Sequence, residues 1–400
     1  MKPRVFTADI VRSKRVLVRV DFNVPIDNGI VKDDTRIRES LPTLVALLSA
    51  KAYPTLVSHL GRPRGKFDPS YSIAPVVPIL QKLLKANSPE FKRIKFVAHT
   101  VGDEVSKAVS NQEAGEVLLL ENTRFYPGEE ANDDDFARRL ASPFEVFVND
   151  AFASLHRAHA STEGVTHFLP SFAGFLVEKE VLAFSRLMNA PERPYTVIIG
   201  GKKVSDKLPI LKNLMGKVDI ALVGGAIANT LARATGVSMG ASFVEEDALT
   251  DARATVDEFR RSTSTLVLPV DFTVTDDIKE VNFLASRRLY EIGEMEVCAD
   301  IGEESRALFA QYIRQASTIF WNGPMGAFEQ APFDEGTYAI AKAIAGNENA
   351  FKVAGGGETI EFIKSRGFNN NFSHISTGGG ASLELISGIT LPGLLPLLES

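Results

Sequence analysis

The residues with the clearest chemical meaning are glycines that follow short apolar runs in the second half of the chain. Gly378, Gly379 and Gly380 stand together in the stretch HISTGGGASLEL. Because glycine has no side chain, such a turn exposes backbone N–H groups, and a helix that starts there points its positive end at the same place. This pattern predicts a site for a polyanion. Similar runs follow other apolar stretches, at Gly200-Gly201, Gly224-Gly225, Gly323-Pro324-Met325-Gly326 and Gly355-Gly356-Gly357.

Cations follow the first of these glycine pairs, at Lys202, Lys203 and Lys207. The apolar pattern that includes Leu208 and Leu211 predicts a helix, with Lys203 and Lys207 four residues apart at its start. Like charges at this spacing repel each other, and cations at a helix N-terminus oppose its dipole. A bound phosphate would remove both penalties, whereas lysines that simply point into solvent would leave the glycine pair unexplained.

In the first half of the chain, arginine and histidine take the place of glycine after the apolar runs. If the strand ends meet at one edge of a sheet, four arginines form a cluster that needs an anion to neutralise it. The alternative for each arginine taken singly is a pair with a surface carboxylate, but the repeated position after strands favours an anion site. The residues concerned are Arg36, Arg62, Arg124 and Arg157, with His59 and His156.

The segments that carry these residues alternate between apolar runs typical of strands and amphipathic runs typical of helices, which indicates an α/β fold. Leu41, Leu44, Val45 and Leu48, for example, fall on one helical face. Parallel strands linked by crossover helices bind ligands beyond their carboxyl ends. The predicted strands are Val16 to Val20, Thr55 to Val57, Ile94 to Val97, Glu116 to Leu120, Val146 to Val148, Tyr195 to Ile199, Ile220 to Val223, Thr265 to Leu268, Thr318 to Trp321 and Phe351 to Ala354.

Length indicates two domains, since 400 residues with 44% hydrophobic content exceed what one core usually supports. The amphipathic segment Gly174 to Met188 is followed by the sequence NAPERP, which predicts a connecting helix and then a stop. The predicted architecture is two doubly wound, Rossmann-like parallel-sheet domains, residues 1–172 and 189–386, joined by a hinge helix over residues 173–188.

Composition and missing motifs exclude several classes of protein. A net charge of −6 argues against binding of nucleic acid or a membrane surface, and the single cysteine, Cys298, excludes an internal disulfide. Basic residues near the N-terminus do not fit a secretory signal, so a cytoplasmic location is expected. The chain has no P-loop, no G-x-G-x-x-G fingerprint and no zinc-like spacing of its histidines.

Seven motifs, in order over essentially the whole chain, resemble those of phosphoglycerate kinases. The resemblance implies a monomeric transferase of glycolysis and gluconeogenesis that moves a phosphoryl group reversibly between ATP and the carboxylate of 3-phosphoglycerate, giving ADP and 1,3-bisphosphoglycerate, by hinge closure of two domains. The motifs are RVDFNVP (Arg19 to Pro25), SHLGRP (Ser58 to Pro63), NDAF (Asn149 to Phe152), HRAH (His156 to His159), GGKKVSDK (Gly200 to Lys207), WNGPMGAFE (Trp321 to Glu329) and STGGGASLEL (Ser376 to Leu385).

The same resemblance implies roles for individual residues. Phosphoglycerate is expected on the first domain and the nucleotide on the second, with the C-terminal tail 387–400 packed back on the first domain. The expected phosphoglycerate ligands are Asp21, Asn23, Arg36, His59, Arg62, Arg124 and Arg157. The expected nucleotide ligands are Gly201, Lys207, Gly225, Asn322, Pro324, Glu329, Gly356, Gly357, Glu358 and Thr359. The expected catalytic residues are Arg36, Lys203, Gly379 and Gly380.

Magnesium is the implied cofactor, bound as Mg-ATP or Mg-ADP and held by nucleotide oxygens and one carboxylate, Glu358. Family members more often have aspartate here; glutamate is one methylene longer, and Mg²⁺ tolerates little geometric slack. Lys202 and Ala226, where alanine and glycine are common, are further departures within the nucleotide pocket.

Two other classes of protein remain open from the residues alone. A nicotinamide-dependent oxidoreductase would share the doubly wound fold, but it would need the missing glycine fingerprint, and a fluorescence titration with NADH would test it. A non-catalytic anion-binding protein would not need Lys203 and Arg36, and a coupled assay with ATP and 3-phosphoglycerate would test that class.

Overall fold

The computed structural model describes residues 1–399, and contacts between residues divide the chain into two compact units. The first unit contains Met1–Leu182 and the C-terminal segment from Thr390 onward, and the second contains Ala183–Ile389. Ser400, the last residue of the predicted tail, lies outside the described residues.

The elements of the first unit are short and alternate along the chain. Its strands are β1 (Arg15–Arg19), β2 (Ile26–Asp27), β3 (Ile30–Val31), β4 (Tyr53–Val57), β5 (Arg93–Val97), β6 (Glu116–Leu120), β7 (Val146–Asn149) and β8 (Ser171–Ala173). Its helices are α1 (Ala8–Val11), α2 (Thr35–Glu39), α3 (Leu41–Ser49), α4 (Val77–Asn87), α5 (Asp103–Ser110), α6 (Pro127–Glu130) and α7 (Asp134–Ala141), and α8 (Phe175–Asn189) leads into the second unit.

Six of these strands form a parallel sheet in the order β5-β6-β4-β1-β7-β8, and β2 pairs with β3 in an antiparallel ribbon. Successive side chains point to opposite faces, so Val16 and Val18 pack in one core and Leu17 packs in another. Because both faces of the sheet are covered, its strands appear in the sequence as continuous apolar runs rather than as alternating ones.

The elements of the second unit follow the same alternation with one addition. Its strands are β9 (Tyr195–Ile199), β10 (Ile220–Val223), β11 (Thr265–Val267), β12 (Asp271–Thr275), β13 (Ala285–Arg288), β14 (Val297–Ile301), β15 (Thr318–Asn322), β16 (Phe351–Gly355) and β17 (His374–Ile375). Its helices are α9 (Leu208–Leu214), α10 (Gly225–Ala234), α11 (Leu249–Arg261), α12 (Glu303–Gln315), α13 (Glu335–Gly346), α14 (Gly357–Ser365) and α15 (Gly380–Ile386).

The main sheet of the second unit is also parallel, in the order β11-β10-β9-β15-β16-β17. The addition is an antiparallel sheet in the order β13-β12-β14. One core packs Ile198, Leu222 and Trp321 from the main sheet against helices α12 and α13 through residues such as Phe309 and Ile340.

The predicted α/β fold with two parallel sheets is confirmed, and each predicted strand is present within one or two residues of its expected bounds. The sequence did not predict the antiparallel sheet, the ribbon or the short strand β8. No helix in residues 1–399 combines the length and the apolar character that a membrane span needs.

The C-terminal segment packs on the start of the chain within the first unit. Arg4 N donates to Leu397 O at 2.7 Å, Glu399 N donates to Lys2 O at 2.9 Å, and Leu397 is fully buried. These backbone hydrogen bonds satisfy groups that would otherwise be left open at both ends of the chain.

Candidate active site

The polar residues of the first unit collect beyond the central strands of its sheet. β1 lies between β4 and β7, so the chain connections leave in opposite directions at this point, where open α/β sheets commonly bind ligands. Asp21 and Asn23 follow β1, His59 follows β4, and Arg124 lies beyond β6.

Arg36, in α2, is oriented by Asp21. Its Nη1 pairs with the Asp21 carboxylate, which is itself 7% exposed, whereas the Arg36 side chain is 35% exposed. A guanidinium carries five N–H donors, so the pair fixes one side of Arg36 and leaves donors for an anion.

A glycine turn connects the loops that follow three strands. Gly61 N donates to Asn23 Oδ1 at 3.0 Å, and Arg124 Nη1 donates to Gly61 O at 2.7 Å. Gly61 has a φ of +60°, and a Cβ there would lie 2.3 Å from the Tyr71 ring, so only glycine fits. Arg124 is buried, with Nε 3.1 Å from Glu130 Oε1.

His59 is kept neutral by its surroundings. Burial, and then the charges of Arg19 and Arg124, lower the pKa of His59 well below its usual value. Nη2 of Arg19, the last residue of β1, lies 3.0 Å from His59 Nδ1. Since a guanidinium only donates, Nδ1 accepts and Nε2 carries the proton, so His59 offers an uncharged N–H donor.

A buried carboxylate lies beneath this cluster. Arg19 Nε donates to Ser161 Oγ at 2.9 Å, and Ser161 Oγ donates in turn to Glu129 Oε1 at 2.6 Å. Arg19 and Glu129 are both almost completely buried, and a buried charge needs such a partner network. None of these residues is among the predicted ligands; the available signal was a charged residue, Arg19, at the end of the buried strand RVLVR.

Arg157 lies at the margin of the cluster. Arg157 Nε donates to His156 Nε2 at 3.1 Å, and burial followed by the charge of Arg157 lowers the pKa of Arg124. Arg62 is exposed and directly follows the Gly61 turn. The predicted ligands that the contacts and electrostatic effects above bring together are Asp21, Asn23, Arg36, His59, Arg124 and Arg157.

In the second unit, β9 lies between β10 and β15, which is again a topological switch point. The glycine loops beyond these strands touch through their backbones. Gly201 N donates to Pro324 O and Gly225 N donates to Met325 O, both at 2.8 Å. A Cβ on Gly200 would lie 2.0 Å from Pro324 O, so the glycines are needed for this close packing as well as for any ligand.

A cavity of about 240 Å³ opens on these loops. Its wall combines apolar side chains with a few polar groups, which is typical of a small-molecule site. The predicted nucleotide ligands in the wall are Gly201, Gly225, Pro324, Glu329 and Glu358. Other wall residues were not among the predicted ligands; they include Asn229, Phe243, Phe272, Val297, Cys298 and Asp300.

Lys207 and Asn322 form a polar pair that is not part of the cavity wall. Lys207 Nζ donates to Asn322 Oδ1, while the buried Nδ2 of Asn322 has no hydrogen-bond partner in residues 1–399. Burial lowers the pKa of Lys207 to about 8, although the negative charges of Glu358 and Asp206 act to raise it. An unpaired buried donor beside a cation suits an anionic oxygen.

The prediction that Lys203 and Lys207 share a helical turn is wrong. α9 begins at Leu208 with Lys207 as its N-cap, and Lys203 is exposed in the preceding loop. Pro209 explains this start, because proline is tolerated only in the first turn of a helix. The repulsion expected between neighbouring helical lysines therefore does not arise.

The start of α14 brings Gly356, Gly357, Glu358 and Thr359 to the same edge of the sheet. Gly356 is the N-cap, with a φ of +92°. Thr359 Oγ1 accepts a hydrogen bond from Gly323 N at 2.7 Å, so its hydroxyl supports the loop after β15. Glu358 Oε2 lies 3.7 Å from the position that a Cβ on Gly201 would occupy, at the rim of the cavity.

Glu358, in the cavity wall, is the carboxylate predicted to hold the metal. No group of three or more His, Cys, Asp or Glu side chains in residues 1–399 could hold a metal ion. A single carboxylate fits Mg²⁺, which is usually bound through one or two carboxylates and keeps phosphate oxygens and water as its other ligands.

The triple-glycine turn connects β17 to α15, beyond the outer strand of the sheet. Gly379 has a φ of +52°, and Gly378 N donates to Ser376 Oγ at 3.2 Å. The N–H groups of Gly379 and Gly380 donate to no described residue. The turn is outside the wall of the 240 Å³ cavity but at the same edge of the parallel sheet, because β9, β15 and β17 all run in one direction.

Comparison with known proteins decides the family to which this arrangement belongs. The family model described as phosphoglycerate kinase matches residues 7–389. The chain belongs to the phosphoglycerate kinase family. This finding confirms the resemblance carried by the seven motifs.

Curated relatives and solved structures of phosphoglycerate kinases match over nearly their whole length. The phosphoglycerate kinases of Pelotomaculum thermopropionicum and Roseiflexus castenholzii are 47% and 48% identical over 389 and 390 residues, with 97% of this chain and 97% of each relative covered. The structure of the Coxiella burnetii phosphoglycerate kinase has a TM-score of 0.88 at 37% identity and covers 97% of both chains. That of the Pyrococcus horikoshii enzyme has a TM-score of 0.81 at 30% identity and covers 97% of this chain and 96% of that one.

Proposed function

We propose that the chain is a phosphotransferase that moves a phosphoryl group reversibly between ATP and the carboxylate of 3-phosphoglycerate, giving ADP and 1,3-bisphosphoglycerate. The observation that carries the proposal is the phosphoglycerate kinase family match over residues 7–389. A basic cluster in one unit and a glycine-lined cavity in the other supply sites of the kind that two anionic substrates need.

This chemistry requires positioning and charge neutralisation rather than a general base. The acceptor is a carboxylate, which is already deprotonated at neutral pH. Two anions that repel each other must be held in line while charge on the migrating group is neutralised. The neutral His59 and the arginines around it are donors, which fits this requirement.

Phosphoglycerate is proposed to bind the cluster of the first unit. Arg36, held by Asp21, is proposed to face the transferred group, and His59 to donate from Nε2. Exposed Arg62 is proposed to join when the anion is present. The proposed ligands are Asp21, Asn23, Arg36, His59, Arg62, Arg124 and Arg157.

The nucleotide is proposed to occupy the cavity of the second unit, with its phosphates directed along the glycine loops. Lys203 is proposed to lie beside the migrating phosphoryl group, and the free N–H groups of Gly379 and Gly380 are proposed to bind the oxygens of that group. The other proposed ligands are Gly201, Lys207, Gly225, Asn322, Pro324, Glu329, Gly356, Gly357, Glu358 and Thr359.

Magnesium belongs to the proposal as Mg-ATP or Mg-ADP, with Glu358 as the protein ligand. When bound, the ion neutralises phosphate charge. Glu358 lies near Gly201 and acts on Lys207 electrostatically, so it is suited to hold a cation beside the phosphate chain.

The remaining expectations form part of the same proposal. A glycolytic role in the cytoplasm fits a chain with a single cysteine, Cys298. Direct transfer requires the two substrates to meet, so closure about α8 is proposed to accompany the reaction in a monomer.

A coupled assay tests the proposal. ATP should be consumed only when 3-phosphoglycerate and Mg²⁺ are both present. Replacing ATP by GTP, or Mg²⁺ by Mn²⁺, in separate runs should change the rate. ATP consumption without 3-phosphoglycerate, or none with it, would contradict the proposal.

A further inference from the structure

We propose that Glu245 is a positioning residue for phosphoryl transfer, because its carboxylate holds the backbone on which Lys203 stands. The inference rests on the proposed function, in which Lys203 meets the transferred phosphoryl. Lys203 is exposed. Its side chain is long and flexible, so the position of its backbone decides what its ammonium group can reach.

Glu245 binds the two amides that directly follow Lys203. Its Oε2 accepts from Val204 N at 2.7 Å, and its Oε1 lies 3.4 Å from Ser205 N. The Ser205 hydroxyl, these amides and the charge of Lys203 all lower the pKa of Glu245, so it is a carboxylate at neutral pH. Val204 is itself fully buried, which fixes this point of the loop from the other side.

The residue before Lys203 is held by the same short segment. Lys202 Nζ lies 4.9 Å from the centroid of the Phe243 ring, within the range of a cation–π interaction, and both residues line the cavity. Lys203 therefore stands between two neighbours that are both held by residues 243–245, which we call the clamp segment.

The clamp segment is anchored on α10. Asn229 Nδ2 donates to Phe243 O at 3.4 Å, and Glu245 N donates to Thr230 Oγ1 at 3.1 Å. Asn229 and Thr230 are both buried. α10 begins at Gly225 in the cavity wall, so a nucleotide in the cavity would touch the elements that fix the position of Lys203.

A carboxylate is required in this role. Its two oxygens accept only, which matches two adjacent N–H donors. In Glu245→Gln one oxygen becomes an NH₂ group that faces a donor, and an unsatisfied donor loosens the loop. The negative charge would be unfavourable near an anionic substrate, and the amides and Lys203 offset it.

The first test compares Glu245→Gln with Glu246→Gln, the same change at an exposed neighbouring residue. Displacement of Lys203 should lower kcat about 10- to 100-fold in Glu245→Gln, with the KM for ATP within about twofold of the original, whereas Glu246→Gln should leave both unchanged. Circular dichroism checks that both variants fold. A rise in KM with kcat unchanged would overturn the positioning role.

A double-mutant cycle tests whether Glu245 acts through Lys203. Adding Glu245→Gln to Lys203→Ala should cause no further loss of kcat, because the group being positioned is already gone. If the two losses multiply instead, Glu245 acts by another route and the inference is wrong.

Amide hydrogen exchange separates this inference from the proposed function. The N–H groups of Val204 and Ser205 should exchange faster in Glu245→Gln than in the original chain, and unchanged exchange would overturn the clamp. This readout needs no turnover, whereas failure of the unaltered chain in the coupled assay would count against the proposed function alone.

Discussion

At the level of single residues, the anion sites proposed for the two units are built from different groups. The proposed site of the first unit offers guanidinium groups and the neutral imidazole of His59, and that of the second offers backbone N–H groups, such as those of Gly379 and Gly380, together with lysines. Arginine suits a carboxylate or phosphate that must be oriented, because its donors form a rigid fork. Bare amides beside a lysine suit a phosphate that changes charge and position during transfer.

Lys203→Ala tests which kind of contribution its ammonium group makes. If the group binds the phosphoryl more tightly in the transition state than in the ground state, kcat should fall about 100-fold or more while the KM for ATP changes little. Steady-state kinetics measure both constants, and Lys212→Ala, a change at a surface lysine of α9, is the control. A variant with full kcat and a raised KM would show that Lys203 only binds the nucleotide.

The burial of a neutral histidine, His159, in the first unit can be tested through the pH dependence of stability. Burial, and then the charges of Arg124 and Arg19, lower the pKa of His159 to about 3. At pH values between this lowered pKa and the usual histidine pKa of about 6.5, the unfolded chain binds a proton at this histidine and the folded chain does not. Stability therefore falls as the pH falls through this range.

The comparison with His159→Gln isolates this effect from the other titrating groups. Below about pH 6.5 the free energy of unfolding of the original chain should fall, relative to the variant, by about 1.4 kcal/mol per pH unit. Urea unfolding at several pH values measures the difference. A difference that does not depend on pH would contradict the burial of a neutral imidazole.

At the level of elements, the sequence predicted the parallel strands because they are buried on both faces and therefore continuously apolar, as in Tyr195–Ile199. It did not predict the antiparallel sheet, since β13 is the half-exposed sequence ASRR and has no apolar run. The cavity wall includes residues of β12 and β14 as well as Phe243, which lie outside the motifs, so the motifs predicted only part of the wall.

The sequence predicted more of the proposed site in the first unit than of the cavity in the second. Several of its proposed ligands stand directly after apolar strands, and parallel strands bring their carboxyl ends to one edge. The buried network of Arg19, Ser161 and Glu129 was not predicted, because contacts between residues so far apart in sequence arise only from tertiary packing. The misplaced start of α9 has a local cause, the strong effect of Pro209 on where a helix can begin.

Gly200→Ala tests the backbone packing of the glycine loops. A Cβ there would lie 2.0 Å from Pro324 O and 2.6 Å from the Met325 methyl group, so the loops must separate. The free energy of unfolding should fall by about 1–3 kcal/mol. Gly346→Ala is the matched control, because nothing lies within 4 Å of the added atom at the end of α13. Urea unfolding compares the two variants, and equal unfolding midpoints would show that the loops can move apart without a loss of stability.

At the level of the whole chain, residues that follow the second unit complete the first one. Leu397 is fully buried, while Leu395, two residues earlier, is 56% exposed. Leu397→Ala should lower the free energy of unfolding by about 2–5 kcal/mol, and Leu395→Ala should have little effect. Thermal and urea unfolding measure both. Equal stabilities would mean that the C-terminal segment contributes nothing to the first unit.

The helix that connects the two units, α8, is held at both of its ends. α8 is continuous over fifteen residues. At its start, Leu176 N donates a hydrogen bond to Asp150 Oδ1 at 2.8 Å. Near its other end, the ring of Phe184 packs against that of Phe320, with the ring centroids 6.2 Å apart. Each end is thus fixed within its own unit, so α8 is the segment about which the proposed closure would occur. A reaction that excludes water while joining two substrates needs such a movement.

Small-angle scattering with substrates tests this movement. The radius of gyration should decrease when ATP, Mg²⁺ and 3-phosphoglycerate are present together, and less or not at all with either substrate alone, because only the pair gains from bringing both anion sites onto one phosphoryl group. Lys203→Ala should weaken the response if Lys203 helps to hold the closed state. Identical curves with and without both substrates would contradict closure about α8, and the transfer would then need another explanation for how its substrates meet.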